Sequence, residues 1–516
     1  MMIRKRNDSQ EERKETPGVV DIVESNENKM KSTSHSVEEE KILMSMDEIL
    51  LQIGFKTYHK LLFAAFAVMT VADAMEVTLI SFLSPCAQEY WQLSSTATGL
   101  MTASSYCGNF FGALVLGRLA DVYGRQPITT VSLAVTVISG WLTAISPSYP
   151  FLLVFRFFVG VGVAGSVIPY DLCLELIPIT KRGSMAFLTA IWGMGSMFVA
   201  GIAWMALDAL GWRWVVGLCT IPMCCLLLTA RMWPESPRWL LSQGRDKEAM
   251  EILTYIAYVS NVPLDDRIVL KPIVQEDEEH YSYFKLFSKG VRGTTGVVSS
   301  IFLLWGFAYT ATILTVTSAF EEESRSSEVT CTFDYGDIFL SASAEIFGGI
   351  LLLILAQRYG RKKTQYIFYF SAAFTVILVG AGLPKAAMVA FAVLTRGASN
   401  SATGGSWMAA PEQFPTEIRG SAHTFVYIWS RVGGTLGSFT WGSLNLPLIG
   451  QTLLIAVAQI LVIVPIKLTK ETSNKALDEP DSDKTVRSLE SANDLRRYST
   501  SMTASTEMVD IKNMLV

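Results

Sequence analysis

Asp73 and Glu76 stand three residues apart in a stretch, 61–87, that holds no other charged residue. That spacing puts both carboxylates on one face of a helix. If the helix crosses a bilayer, an ionised side chain at its centre costs about 2.5–3.5 kcal/mol. Two neighbouring carboxylates in a low dielectric also repel, which raises the affinity of one for a proton. The pattern suits proton coupling; the alternative is that Glu76 pairs with a neighbouring helix and has no part in transport. Arg431 lies mid-way along another apolar segment. Its permanent charge can grip a carboxylate with two parallel hydrogen bonds, or it balances Asp73, Glu76 or Glu345 internally. Glu345 is accordingly either a partner of Arg431 or a second proton carrier. Trp305 and Tyr309, four apart, can stack an aromatic ring or simply pack helices. Asp171 belongs to a cavity or to a gate, and His423, of a residue type that ordinarily titrates near neutrality, is expected at the cytosolic mouth. No phosphate-cradling loop, zinc spacing or nucleophile elbow occurs, so no enzyme, catalytic residue, metal or cofactor is expected. The Gly160-x-Gly162-x-x-Gly165 string sits in an apolar run with no strand before it, so it serves helix packing rather than a dinucleotide.

The elements that must carry these residues are membrane helices. Half of the 516 residues are hydrophobic and 17% are charged, against about 25% charged in an average soluble protein. A span needs roughly 20 mostly apolar residues. Twelve such segments begin near Leu61, Thr96, Ile128, Phe151, Met185 and Val215, then near Val297, Ile338, Thr364, Ala387, Ser421 and Pro447. Lysines and arginines crowd alternate connections: Arg118 and Arg125, Lys181 and Arg182, then Arg358, Arg361, Lys362 and Lys363, then Arg419. The intervening connections carry few, so both termini are expected in the cytosol. The net charge of −5 says less than this asymmetry.

The predicted organisation is a disordered cytosolic tail over 1–45 and an amphipathic cytosolic helix over 46–59. A six-helix bundle follows over 60–233, a cytosolic middle loop with short helices over 234–293, a second bundle over 294–468, and a disordered tail over 469–516. Met46–Phe55 suits a helix lying on the membrane surface. Glu38–Leu43 has the composition of a sorting signal, and Arg496-Arg497-Tyr498-Ser499 that of a phosphorylation site in an otherwise solvated tail. Asn7-Asp8-Ser9 is a glycosylation sequon on the wrong side of the membrane for use. The seven cysteines form no framework; Cys86 and Cys331, near the outer face, are read as two free thiols, with a disulfide between them as the alternative.

A duplication links the halves. Glu175-x-x-Pro178-x-x-x-Arg182-Gly183 returns as Glu412-x-x-Pro415-x-x-x-Arg419-Gly420, and Tyr123-Gly124-Arg125 as Tyr359-Gly360-Arg361. A repeat this long in so apolar a chain signals two equivalent membrane halves, as in secondary transporters. With Gly117-x-x-x-Asp121-x-x-Gly124-Arg125, Arg156-x-x-x-Gly160-x-Gly162 and Pro234-Glu235-Ser236-Pro237-Arg238-Trp239-Leu240, the chain from about 60 to 470 resembles the major facilitator superfamily. Leu50–Phe55, Ala72–Glu76, Ser343–Gly348 and Ser430–Gly434 make it similar to that family's synaptic vesicle two-related protein group, relatives of organic-ion carriers and of aromatic-acid permeases.

The resemblance implies an all-α membrane protein with twelve helices in two six-helix bundles. It also implies a cytosolic gate: Asp121, Arg125, Glu175, Arg182, Glu235 and Arg238 in the first half, and Arg361, Glu412 and Arg419 in the second. Gln357 replaces a counterpart of Asp121 and Val122 a basic neighbour, so the second-half gate is expected to be the weaker. In the related organic-ion carriers a basic residue around Arg431 favours anions. The expected function is therefore alternating-access transport of a small organic anion, such as an aromatic monocarboxylate, coupled to protons. Arg431, Glu345, Trp305 and Tyr309 would bind it; Asp73 and Glu76 would carry the proton. The rivals are a sugar carrier, opposed by a seventh span without glutamine, an organic-cation carrier, opposed by Arg431, and a non-transporting vesicle protein. The expected partners are the bilayer, the substrate and protons. Nucleic acid is not among them, and the chain is expected as a monomer in a synaptic or other vesicle membrane or the plasma membrane.

Overall fold

The structure is a computed structural model that describes residues 42–178, 180–181, 187–230, 233–265, 267–271, 283–322, 331–414, 418–444 and 446–471. The side chains of Arg419 and Gly420 lie outside that description, as do Arg182, the sequon, the Glu38–Lys41 part of the sorting string and the Arg496–Ser499 site.

Where a long apolar run enters lipid, every backbone N–H and C=O must be satisfied within the run, and a helix does this. Among the described residues, eight helices are long and apolar enough to cross a bilayer. They are α2 (Thr57–Trp91), α4 (Arg125–Ala144), α5 (Tyr149–Leu176), α6 (Leu188–Leu210), α7 (Trp212–Thr229), α10 (Arg292–Ser318), α11 (Tyr335–Tyr359) and α15 (Leu448–Leu468). Four more long helices, α3 (Ser95–Tyr123), α12 (Arg361–Val379), α13 (Lys385–Ala409) and α14 (Arg419–Ser443), carry more polar side chains and fall short of that mark.

The duplication in sequence is a duplication in packing. In the first half α3 packs on α5, α2 on α6 and α7, and α4 on α5 and α7; six helices later α11 packs on α13, α10 on α14 and α15, and α12 on α13 and α15. The halves meet through α3 against α14 and α6 against α11, which are themselves counterparts. Small residues set these distances: a Cβ built on Gly160 would stand 1.9 Å from the Ser105 carbonyl oxygen of α3.

The inner face carries both described chain ends. There α1 (Met46–Ile53), α8 (Pro237–Ser242), α9 (Asp246–Val259) and two strands form a small domain. Strand β1 (Ile42–Met44) pairs in parallel with β2 (Ile268–Leu270). A capping box starts α1: Ser45 Oγ accepts from the Glu48 N–H and Glu48 from the Ser45 N–H. That bond holds the Glu48 carboxyl below its ordinary range. Met46, Ile49, Leu50 and Ile53 are buried against Leu240, Leu253, Ile256 and Ile268. The expected apolar face is present, but protein covers it rather than lipid, because α8, α9 and β2 supply a drier surface.

At the outer face β3 (Glu321–Glu322) and β4 (Thr332–Phe333) form an antiparallel hairpin before α11. Phe333 packs on Phe82 of α2, with ring centroids 5.3 Å apart. This brings Cys331 beside Cys86, Cα to Cα 5.2 Å, and the two form a disulfide. The reading of two free thiols is corrected: they are 245 positions apart in sequence, and only the packing of the hairpin on α2 makes them neighbours. Nearby, the Tyr335 hydroxyl donates to Asp208 Oδ1 at 2.5 Å and Thr317 Oγ1 to Ser81 Oγ at 3.2 Å, so the outer seam is closed by hydrogen bonds between the halves.

Candidate functional site

Mid-way along the helices, six charged side chains divide into two neutralised pairs and two that remain. Glu76 on α2 accepts from Arg156 Nη2 on α5 at 2.7 Å. Glu345 on α11 accepts from Arg396 Nε on α13 at 2.8 Å, with Nη2 of the same guanidinium 2.7 Å away. Each pair lies within one half, is buried, and draws its arginine from the fourth long helix of its half. A second bond to Glu345 comes from Ser196 Oγ on α6, which also meets Thr78 Oγ1 at 3.0 Å, so this network reaches across to the first half.

What remains is Asp73 on α2, together with Arg431 on α14 from the other half. Both are at most 8% exposed. Asp73 Oδ2 accepts from Ser166 at 3.1 Å, while Oδ1 has no hydrogen-bond partner. Arg431 donates through Nη2 to the Tyr427 hydroxyl and lies over that ring, 4.2 Å from its centroid. Its Nε has no partner. Asp73, Tyr427 and Tyr106 are the groups within Coulombic reach of Arg431. Tyr106 on α3 accepts from Thr310 on α10 at 3.0 Å.

The sequence expectation thus separates. Asp73 and Glu76 share a helix face but not an environment, because Arg156 has taken Glu76. Arg431 makes no ion pair with Asp73, Glu76 or Glu345 among the described residues; Glu345 is held by Arg396 instead. Tyr309 accepts from Trp192 Nε1 at 2.7 Å, and Trp305 packs edge-on against Phe302 with its own indole N–H unpartnered. Arg396 was missed, although it is a lone arginine in the interior of the tenth segment, the same signal that singled out Arg431.

Below this level, towards the inner face, aromatic rings close the seam. Trp407 of α13 packs at 4.5 Å from His423 and 5.3 Å from Tyr427 of α14, and at 5.9 Å from Tyr170 of α5. His423 is therefore buried between halves rather than placed at an open mouth.

The inner-face charges form two related clusters. In the first half, Arg125 Nη1 lies 2.5 Å from Glu175, whose other oxygen accepts from Ser236 at 2.5 Å. Asp121 and Asp171 stand within Coulombic reach of Arg125. Glu235 caps α4, accepting from the Arg125 N–H at 2.8 Å and more weakly from the Gln126 N–H, where the helix N-terminus favours an anion. In the second half Arg361 meets Glu412 at 3.2 Å. Arg238 does not join the first-half cluster. It donates to both oxygens of Asp47 at 2.8 Å, because α1 covers α8 and offers a nearer carboxylate. One member of the second cluster went unseen. Glu471 accepts from the N–H groups of Arg361, at 2.8 Å, and Lys362, at 3.1 Å, as Glu235 does in the first half. The signal was available, since Glu235 and Glu471 are separated by the same interval as Gly124 and Gly360. Residues 469–471 are thus described inside the range 469–516 expected as a tail.

Gly124 makes this cap possible. Its φ is +100°, and a Cβ there would stand 2.4 Å from Glu235 Oε2. Gly124→Ala is expected to destabilise the protein by about 1–3 kcal/mol. Gly54→Ala is the control, since it shares a positive φ but has open space for the methyl. Thermal unfolding in detergent should show the larger loss for Gly124→Ala; equal losses would mean the Glu235 contact adds nothing.

Comparison with known proteins adds the following. A family pattern described as Major Facilitator Superfamily matches residues 62–438. The chain is 29% identical over 451 residues to "Organic cation/carnitine transporter 7" of Arabidopsis thaliana, covering 76% of this chain and 87% of that protein. It is 26% identical over 426 residues to "Synaptic vesicle 2-related protein" of Xenopus laevis, covering 79% and 76%. In fold it is similar to a partially occluded, inward-open structure of the xylose transporter XylE from E. coli, with a TM-score of 0.64 and 18% identity over 80% of this chain and 99% of that one.

Proposed function

The chain belongs to the major facilitator superfamily and is a multi-pass membrane protein, and on that premise we propose that it carries a small organic carboxylate across the membrane by alternating access, coupled to protons. One observation carries the reading. Asp73 and Arg431 come from opposite halves, are buried, and make no ion pair among the described residues, while Glu76 and Glu345 are each paired with an arginine of their own half. Arg431 receives the substrate carboxylate. Asp73, relieved of its electrostatic partner as the carboxylate docks, takes up the proton. When the halves rock, the two charges separate and the site releases its load to the other side. The aromatic seal of Tyr170, Trp407 and His423 and the outer hydrogen bonds are the barriers that alternate.

In this reading all twelve long helices span the bilayer, and the inner face is cytosolic. The arginines and lysines at 118, 125, 181, 358 and 361–363 favour that orientation, and a disulfide at the outer face suits an oxidising compartment. The relatives' names favour a vesicle membrane and an organic ion. A cation is the second reading, favoured by Asp73 and by the Arabidopsis relative's name.

Uptake of labelled nicotinate and benzoate into proteoliposomes, beside tetraethylammonium and glucose, tests this with and without an inward proton gradient. Acid-stimulated carboxylate uptake is expected. Uptake of only the cation or only glucose would overturn the proposal.

A further inference from the structure

Buried polar atoms without partners are few in well-packed proteins and each calls for an explanation. Setting aside those of the two ion pairs, three belong to the group around Arg431: its own Nε, Asp73 Oδ1 and Asn109 Oδ1. They come from three helices, α14, α2 and α3. Tyr427 ties the group together, because its hydroxyl accepts from Arg431 and lies beside the Asn109 side chain. All of these side chains are more than nine-tenths buried.

The group is unbalanced in kind. Arg431 Nε can only donate. The Asn109 amide oxygen can only accept, while Asp73 accepts when ionised and donates once it carries the proton. A plain carboxylate such as benzoate brings acceptors alone. It would answer Arg431, and a protonated Asp73, but would set its oxygens against that of Asn109. From this complementarity we infer that the substrate has two poles: a carboxylate for Arg431 and, on the same small molecule, a hydroxyl or amino group that donates to Asn109. The class is a hydroxy- or amino-substituted carboxylate, and Asn109 is the residue that selects it. A site built to bond a hydroxyl rejects the analogue that lacks it, since the protein's own buried groups are then left unpaired. This rests on the carboxylate reading of Arg431 and narrows it.

The test is binding to the purified, detergent-solubilised full chain, read as ligand-dependent thermal stabilisation. The probes are benzoate, its three monohydroxy isomers and its three amino isomers, with tetraethylammonium as the cation. At least one substituted isomer should bind tenfold or more tightly than benzoate. In Asn109→Leu, close in size, that advantage should shrink to threefold or less. Equal affinity of benzoate and all six isomers for the native protein would overturn the two-pole inference alone and leave the carboxylate reading standing. Binding of tetraethylammonium with no carboxylate bound would overturn both. Because the native protein alone gives these outcomes, a variant that fails to fold does not rescue the inference.

Discussion

Arg156→Leu is expected to cost about 3–5 kcal/mol of stability, the largest loss from any single replacement in the first half. The physical reason is what it leaves behind. Glu76 is buried and its only ion-pair partner among the described residues is Arg156 at 2.7 Å. Removing one member of a buried pair strands the other charge in a low dielectric, whereas removing both is often near neutral. The double replacement Arg156→Leu with Glu76→Leu should therefore recover most of the loss, in clear violation of additivity. Unfolding of purified protein in detergent, followed by heat or by denaturant, measures all three variants. If the single and double replacements were equally unstable, Arg156 would matter for packing and not for charge. The same cycle at Glu345 and Arg396 should behave alike, with the difference that Ser196 still donates to Glu345 and softens the single loss.

Arg431→Ala is expected to lower kcat/KM for the carboxylate substrate by roughly 30- to several-thousand-fold. That range corresponds to the about 2–5 kcal/mol lost when one partner of a buried, hydrogen-bonded charge pair is truncated. Arg431→Lys should recover only part, since an ammonium keeps the charge but not the planar fork. Stability should change less than for Arg156→Leu, because among the described residues Arg431 makes no direct ion pair; its hydrogen bond is to the Tyr427 hydroxyl, and Asp73, left without its electrostatic partner, can take up a proton. The measurement is concentration-dependent uptake in proteoliposomes alongside thermal unfolding of the same preparation. Full uptake by Arg431→Ala, from protein with native stability, would remove Arg431 from the binding site.

Much of this could be read from the chain itself. The interval between Tyr123-Gly124-Arg125 and Tyr359-Gly360-Arg361 announced two equivalent halves, and their helix packing repeats pair for pair. Asp73, Glu76, Glu345 and Arg431 stood out because charge is rare in apolar runs. Their pairing did not, because it depends on which helix faces which across tens of positions. Arg156 was legible as part of a motif but not as the neutraliser of Glu76. Glu471 sat at the edge of a polar tail, and composition there hid a positional echo of Glu235. Cys86 and Cys331 belong to the same class of failure, since no spacing rule connects residues joined only by a hairpin folding over another helix.

That hairpin also changes where one half ends and the other begins. By sequence, residues 319–334 connect α10 to α11 and belong to the second half. By covalent attachment, Cys331 travels with α2. Three residues lie between Cys331 and the start of α11, and the four chain steps from one to the other reach about 14 Å at full extension. In the proposed transport cycle the disulfide would therefore act as a short tether at the outer face, limiting how far α2 and α11 can part there.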